Sequence, residues 1–138
     1  MKYLLALVLL ITAQLSWAQT APAYDWRKEK KPQTAEELKK TASELETALK
    51  EKPGEVELYI RLGFTYTKLD KADEAQQAFE NAARLDPKRA IAHYMLGLIY
   101  EKKGLRDKAV SAWKACLENA DDQHLRKTAV KHLHHLAD

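Results

Sequence analysis

The sequence predicts an all-α fold: a solenoid of antiparallel helix pairs, with two full repeats, a half-repeat helix ahead of them and a capping helix behind. Three observations carry that expectation. HYMLGLIY at residues 93–100 restates YIRLGFTY at 59–66, with Leu-Gly and a following tyrosine displaced by 34 residues. Thr34-Ala-Glu-Glu37 opens a stretch in which Leu38, Ala42, Leu45, Ala48 and Leu49 recur at helical steps. Leu125, Ala129, Leu133 and Leu136 recur in the same way near the C-terminus. Six helices and no sheet follow from these patterns.

Taken in order, residues 1–18 have the form of a signal peptide: Lys2, an apolar run from Tyr3 to Ile11, then Ser16-Trp17-Ala18 in a small-x-small arrangement. Cleavage is expected between Ala18 and Gln19. The apolar run is too short for a membrane anchor, which takes roughly 20 residues. A periplasmic or secreted location, with no membrane span after cleavage, is the corresponding expectation. Residues 19–33, QTAPAYDWRKEKKPQ, combine prolines and a charge cluster without apolar periodicity and read as a flexible leader. Arg27 to Lys31 concentrate positive charge there, as a solvated linker would. Tyr24 and Trp26 could dock on the folded body.

The folded region is expected from residue 34 to 138. Thr34 and Glu37 fit a capping box, and Pro53-Gly54 ends the helix they start. Two copies follow, 56–89 and 90–123. Aligned without a gap, they match Leu62 with Leu96, Gly63 with Gly97, Tyr66 with Tyr100, Ala75 with Ala109, Phe79 with Trp113 and Ala82 with Cys116. Glycine inside a helix costs up to about 1 kcal/mol relative to alanine. Its return at the same place implies a helix–helix approach too close for a Cβ. The last helix, 123–137, presents one apolar stripe to the end of the second copy and Lys, Arg and His to water.

These residues resemble the tetratricopeptide repeat, a 34-residue helix pair marked by W-x2-L-G-x2-Y, then A-x3-F, then a small residue and proline. The first copy matches at Leu62, Gly63, Tyr66, Ala75, Phe79, Ala82 and Pro87, with Tyr59 in the opening aromatic place. The second matches at Leu96, Gly97, Tyr100, Ala109 and Trp113, and departs at His93, Cys116 and Asp121. The helix from Thr34 resembles the second half of a preceding repeat. The resemblance implies that the first helices of successive units line a concave, protein-binding surface. It places Glu57, Ile60, Phe64, Thr67 and Lys68 there from the first copy, and Ile91, Tyr94, Leu98, Glu101 and Lys102 from the second. Ile60, Phe64, Ile91, Tyr94 and Leu98 would form an apolar strip, with Lys68, Glu101 and Lys102 setting a partner's orientation. Self-coverage by the leader or the capping helix, and self-association into a homo-oligomer, are the alternative uses of that strip. With the signal peptide, the resemblance implies an exported adaptor; exported relatives of this kind assist envelope assembly, pilus biogenesis or cytochrome maturation, and the resemblance does not choose among them.

Other chemistry finds little footing. A formal net charge of +3 offers no footprint for nucleic acid. The single cysteine, Cys116, lies on an apolar helix face and reads as a buried thiol. No nucleophile motif or phosphate-binding loop is present, so the chain reads as a non-enzyme without a cofactor. His132 and His135 share a helix face, with His134 between them and His124 earlier. They read as a solvated cap surface, with metal carriage on the final helix as the alternative.

Overall fold

The computed structural model describes residues 32–138. The expected signal peptide (1–18) and the expected leader through residue 31 therefore lie outside the described residues. Within them stand six α-helices and no strand: α1 Ala35–Glu51, α2 Val56–Lys68, α3 Ala72–Leu85, α4 Ala90–Lys102, α5 Arg106–Asn119 and α6 Gln123–Ala137. Each helix packs against its sequence neighbour, and α4 also reaches α6. The result is two layers, with α2, α4 and α6 in one and α1, α3 and α5 in the other.

Helix α1 starts where its sequence says it should. The Thr34 amide donates to Glu37 Oε2 at 2.9 Å and the Glu37 amide donates to Thr34 Oγ1 at 3.2 Å, which satisfies two otherwise orphaned donors. Leu38, Ala42 and Leu45 are buried from this helix against α2. Thr41 and Glu44 stand one period before Ala75 and Ala78, small residues buried in α3. Polar residues suit α1 there, because Glu44 is exposed.

The two glycines mark the closest approach in each pair. A Cβ on Gly63 would lie 2.6 Å from Phe79 Cζ, and one on Gly97 would lie 2.5 Å from Trp113 Cε2. Both rings are fully buried. An aromatic of this size removes 150–250 Å² from water, about 4–6 kcal/mol of transfer free energy at most. The small cost of an interior glycine is thereby offset several times over. Ala75, Ala82, Ala109 and Cys116 supply the small positions around the rings, each no more than 1% exposed.

The turns inside each pair repeat as well. Lys71 N donates to Tyr66 O at 2.9 Å and Asp70 N to Thr67 O at 3.1 Å; one period later Leu105 N donates to Tyr100 O at 2.8 Å and Gly104 N to Glu101 O at 2.9 Å. These are paired Schellman bonds, which place one residue in the left-handed region. Gly104 takes it at φ 71°, but in the first copy Asp70 must do so at φ 56°. Glycine adopts that conformation freely and aspartate does not. Asp70→Gly is therefore expected to stabilise the fold by about 0.5–1 kcal/mol, read as a higher urea midpoint with an unchanged slope.

Between pairs, tyrosines act as staples. Tyr100 OH donates to Glu80 Oε1 at 2.6 Å, and Tyr66 OH donates to Glu46 Oε1. Donors and acceptors are each one period apart, so the same bond joins α1 to α2 and α3 to α4. Burial, reinforced by the Glu46 carboxylate, pushes the Tyr66 phenol up to about 12. Burial and Glu80 push Tyr100 further in the same direction.

Helix α6 closes the stack. Leu125 and Ala129 are buried, and Leu133 and Leu136 pack on the same core. Asp122 caps it, accepting from His124 N at 2.7 Å and Leu125 N at 3.2 Å. Arg126 Nη1 donates to the carbonyls of Leu117 and Ala120, at 3.0 and 3.1 Å, and ties α6 to the last turn of α5. Behind this cover Cys116 has no exposed surface, and burial pushes its thiol up to about 11. A raised pKa means that folding favours the neutral thiol. That contribution to stability is complete below the ordinary value of 9.0 and is lost as pH rises through about 11. At pH 8 the native thiol should resist a disulfide reagent that labels the urea-unfolded chain at once.

Candidate functional site

The layer formed by α2, α4 and α6 carries the candidate surface. Phe64, Leu98 and His132 stand at successive 34-residue steps, one on each helix of this layer. Each is half-buried and each belongs to a packed aromatic or apolar set. Phe64 meets Phe79 edge-on, with centroids 5.3 Å apart and planes at 84°. Tyr94 does the same to Trp113 at 5.4 Å and 90°. His132 lies flat on the same Trp113 ring at 4.4 Å and 19°. Leu98 borders a cavity of about 160 Å³ with Thr67, Asp70, Met95 and Lys102. Half of each side chain is thus held by the core while the other half forms the surface of this layer.

The structure sorts Phe64, Tyr94, Leu98, Lys68, Lys102, Ile60 and Ile91 into three groups. Phe64, Tyr94 and Leu98 lie together at the surface as half-buried apolar groups. Lys68 and Lys102 end their helices at the same edge. Lys68 Nζ donates to Gln33 Oε1 at 3.4 Å, and desolvation holds its ammonium below the usual range. Lys102 Nζ lies 3.7 Å from Asp70. Ile60 and Ile91 are corrected. Ile60 has no exposed surface and Ile91 only 7%, so neither lines an apolar strip. Both belong to the central core with Phe79, Met95 and Leu96. Ile60 is short enough to disappear under its neighbours. Tyr94, one period later, is longer, and its ring stands up against Trp113 and reaches the surface.

Glu101 and His132 change meaning together. His132 Nδ1 and Glu101 Oε2 are 2.6 Å apart, with side chains only 27% and 17% exposed. Glu101 thus holds the capping helix, and His132 faces inward, which corrects its expected place on a solvated cap surface. His134 and His135 do face water. Among the described residues no group of three or more His, Cys, Asp or Glu is placed to hold a metal ion. The period had a signal for His132 all along, since it follows Leu98 by the interval that separates Leu98 from Phe64.

A larger open groove, about 560 Å³, runs along the opposite layer between α3 and α5 over Leu96 and Tyr100. Tyr100 and Glu80 already bond each other across it. It is the ordinary seam between two second helices, and none of the sequence-expected site residues borders it.

Comparison with known proteins agrees with this geometry. A family model described as "TPR repeat" matches residues 63–104, and one described as "Tetratricopeptide repeat" matches residues 90–123. The "Peroxisomal targeting signal receptor" of Saccharomyces cerevisiae (strain ATCC 204508 / S288c) is 36% identical over 67 residues, which covers 49% of this chain and 11% of that protein. The chain therefore spans about a tenth of that relative's length. Six helices stacked as neighbouring antiparallel pairs form a tetratricopeptide-type helical repeat, and residues 63–123 are similar to that repeat family.

Proposed function

We propose that this protein is an exported adaptor that holds a segment of a partner protein on the face formed by α2, α4 and α6. Tetratricopeptide repeats are protein–protein interaction modules, and in them this is the concave face. The observation that carries the reading is the set of Phe64, Tyr94 and Leu98, half-buried apolar groups on α2 and α4, with Phe64 and Leu98 one period apart. Half-buried apolar anchors on rigid helices suit recognition, because large groups in desolvated pockets dominate interface energy and lose little entropy on binding. Lys68 and Lys102 at one edge would orient the bound segment. The yeast relative is named a receptor for a targeting signal, and capture of a segment of another protein is the corresponding reading here.

Export rests on the N-terminal sequence alone: Lys2, the apolar run and the Ser16-Trp17-Ala18 site, with cleavage before Gln19. No helix among the described residues is long and apolar enough to cross a membrane. The N-terminal pattern favours a periplasmic or secreted location, and envelope assembly or biogenesis is the role proposed for the adaptor. Site-specific photo-crosslinking in the native envelope tests the reading. A photoreactive residue at position 98 or 64 should capture one contiguous segment of one protein, while the same group at Ser111, exposed on the other layer, should not. Capture at 111 with none at 98 would place the interface on the wrong side for this account.

A further inference from the structure

The cavity beside Leu98 lies where the repeat turns small. Its walls include Ala72 and Ala75 of α3 with Met95 and Leu98 of α4. One period earlier the same places hold Leu38, Thr41, Arg61 and Phe64, each larger than its counterpart. Leu38 is buried there, and Phe64 packs edge-on against Phe79. One period later Arg106 replaces Ala72 and His132 replaces Leu98. Arg106 donates to the carbonyl of Leu136, the counterpart of Lys102, and His132 is held by Glu101. Small residues thus stand between two bulkier steps, and the space they leave opens between the first helix pair and α4.

That space has the chemistry of a seat for one side chain. An apolar cavity of about 150 Å³ is large enough to take up benzene, and this one measures about 160 Å³. A phenylalanine ring or a leucine isobutyl group suits it, whereas a charged group would lose its water against Met95 and Leu98. The rim is ionic. Lys102 and Asp70 border the cavity 3.7 Å apart, with side chains 74% and 92% exposed. An exposed pair of this kind contributes little, so Lys102 can turn to another anion at small cost. Nearby Lys71 and Lys103 are balanced by Glu74 and Asp73. Lys68 ends α2 at the same edge, which leaves two ammonium groups against the Asp70 carboxylate. The surplus favours an acidic group beside the cavity.

We propose that this cavity seats one leucine- or phenylalanine-sized side chain of the partner segment, and that an acidic residue next to it in that segment meets Lys102. The assignment rests on the adaptor reading of the same face, and its test separates the two. The sequence has two methionines, Met1 and Met95, so the carbon-13 methyl resonance of Met95 reads the cavity wall directly. Benzene titrated into the full chain should shift that resonance along a saturable curve. Ala72→Leu copies the residue found one period earlier and should abolish the shift while circular dichroism stays unchanged. Leu98→Phe, the other substitution that copies the earlier step, should do the same, and it stands in where Ala72→Leu does not fold. The segment captured by crosslinking should bind these filled variants at least about tenfold more weakly, as an anchor that has lost its pocket. Lys102→Gln should weaken it as well. Asp70→Asn keeps a residue suited to positive φ and removes the competing carboxylate, so it should tighten binding by up to about fivefold.

A Met95 resonance that benzene leaves unmoved, or moves equally in the filled variants, would overturn the assignment. So would a captured segment with no apolar residue beside an acidic one, or one that Asp70→Asn binds more weakly. If Phe64→Glu weakens binding of the segment while Ala72→Leu and Leu98→Phe do not, the cavity assignment falls and the adaptor reading stands. If benzene enters the cavity while the segment ignores all of these substitutions, the adaptor reading falls and the cavity's role for a partner falls with it.

Discussion

Trp113→Ala is expected to lower the unfolding free energy by about 3–5 kcal/mol, the range for emptying a large aromatic site in a packed core. Whole domains are stable by only about 5–15 kcal/mol, so a chain this size should lose much of its margin. The effect should be large because Trp113 joins three elements. Its ring lies over Gly97 in α4, takes Tyr94 on its edge and carries His132 of α6 on its face. Removing it leaves a void in the second pair and detaches the capping helix from its stack. Urea denaturation followed by circular dichroism measures the loss. A change below about 1 kcal/mol, the size of a typical surface or mild substitution, would mean that the ring is not the keystone of this packing.

Gly97→Ala tests the same packing from the other helix, and here two effects oppose each other. Helix propensity favours alanine over an interior glycine by up to about 1 kcal/mol. The added methyl would sit 2.5 Å from Trp113 Cε2, a contact that requires a shift by a fully buried ring. Overpacking of this kind costs about 1–3 kcal/mol. The overlap should win, leaving the variant less stable by about 1–2 kcal/mol. Gly54→Ala provides the control, since nothing lies within 4 Å of a Cβ there. Gly97→Ala matching or exceeding the wild type would show that α4 and α5 are not held at glycine distance.

Much of this architecture was legible in the sequence because it is written periodically. The Leu-Gly-x-x-Tyr repetition, the Thr34 capping box and the apolar stripe of the last helix locate five turns and six helices, and the structure has all six. Depth was less legible. Ile60 and Ile91 are as apolar as Leu98, and only three-dimensional packing shows that two of them sink into the core while the third stays at the surface. Pairings between helices were also hidden. Glu46 and Glu80 look like ordinary solvent-facing carboxylates until their shared distance from Tyr66 and Tyr100 is noticed. His132 was hidden by its company, since a cluster of histidines near a helix end suggests a wet surface. Its stacking partner is nineteen residues away, on another helix.

The same distinction bears on the candidate face. Residue type nominated apolar positions, but burial sorted them into supports and surface groups. Ile60, Phe79 and Trp113 belong to the core on which Phe64, Leu98 and Tyr94 pack, and of these six only the last three reach the surface to a useful extent. Substitution of the supports would damage the fold, whereas substitution of the surface groups should damage recognition first.

Calorimetric titration of the crosslinked segment into wild type and Phe64→Glu/Leu98→Glu is therefore the decisive measurement, with circular dichroism confirming that both chains keep their helices. The account expects at least a tenfold loss of affinity in the folded variant, about 1.4 kcal/mol or more. Equal affinity in two equally folded chains would contradict it.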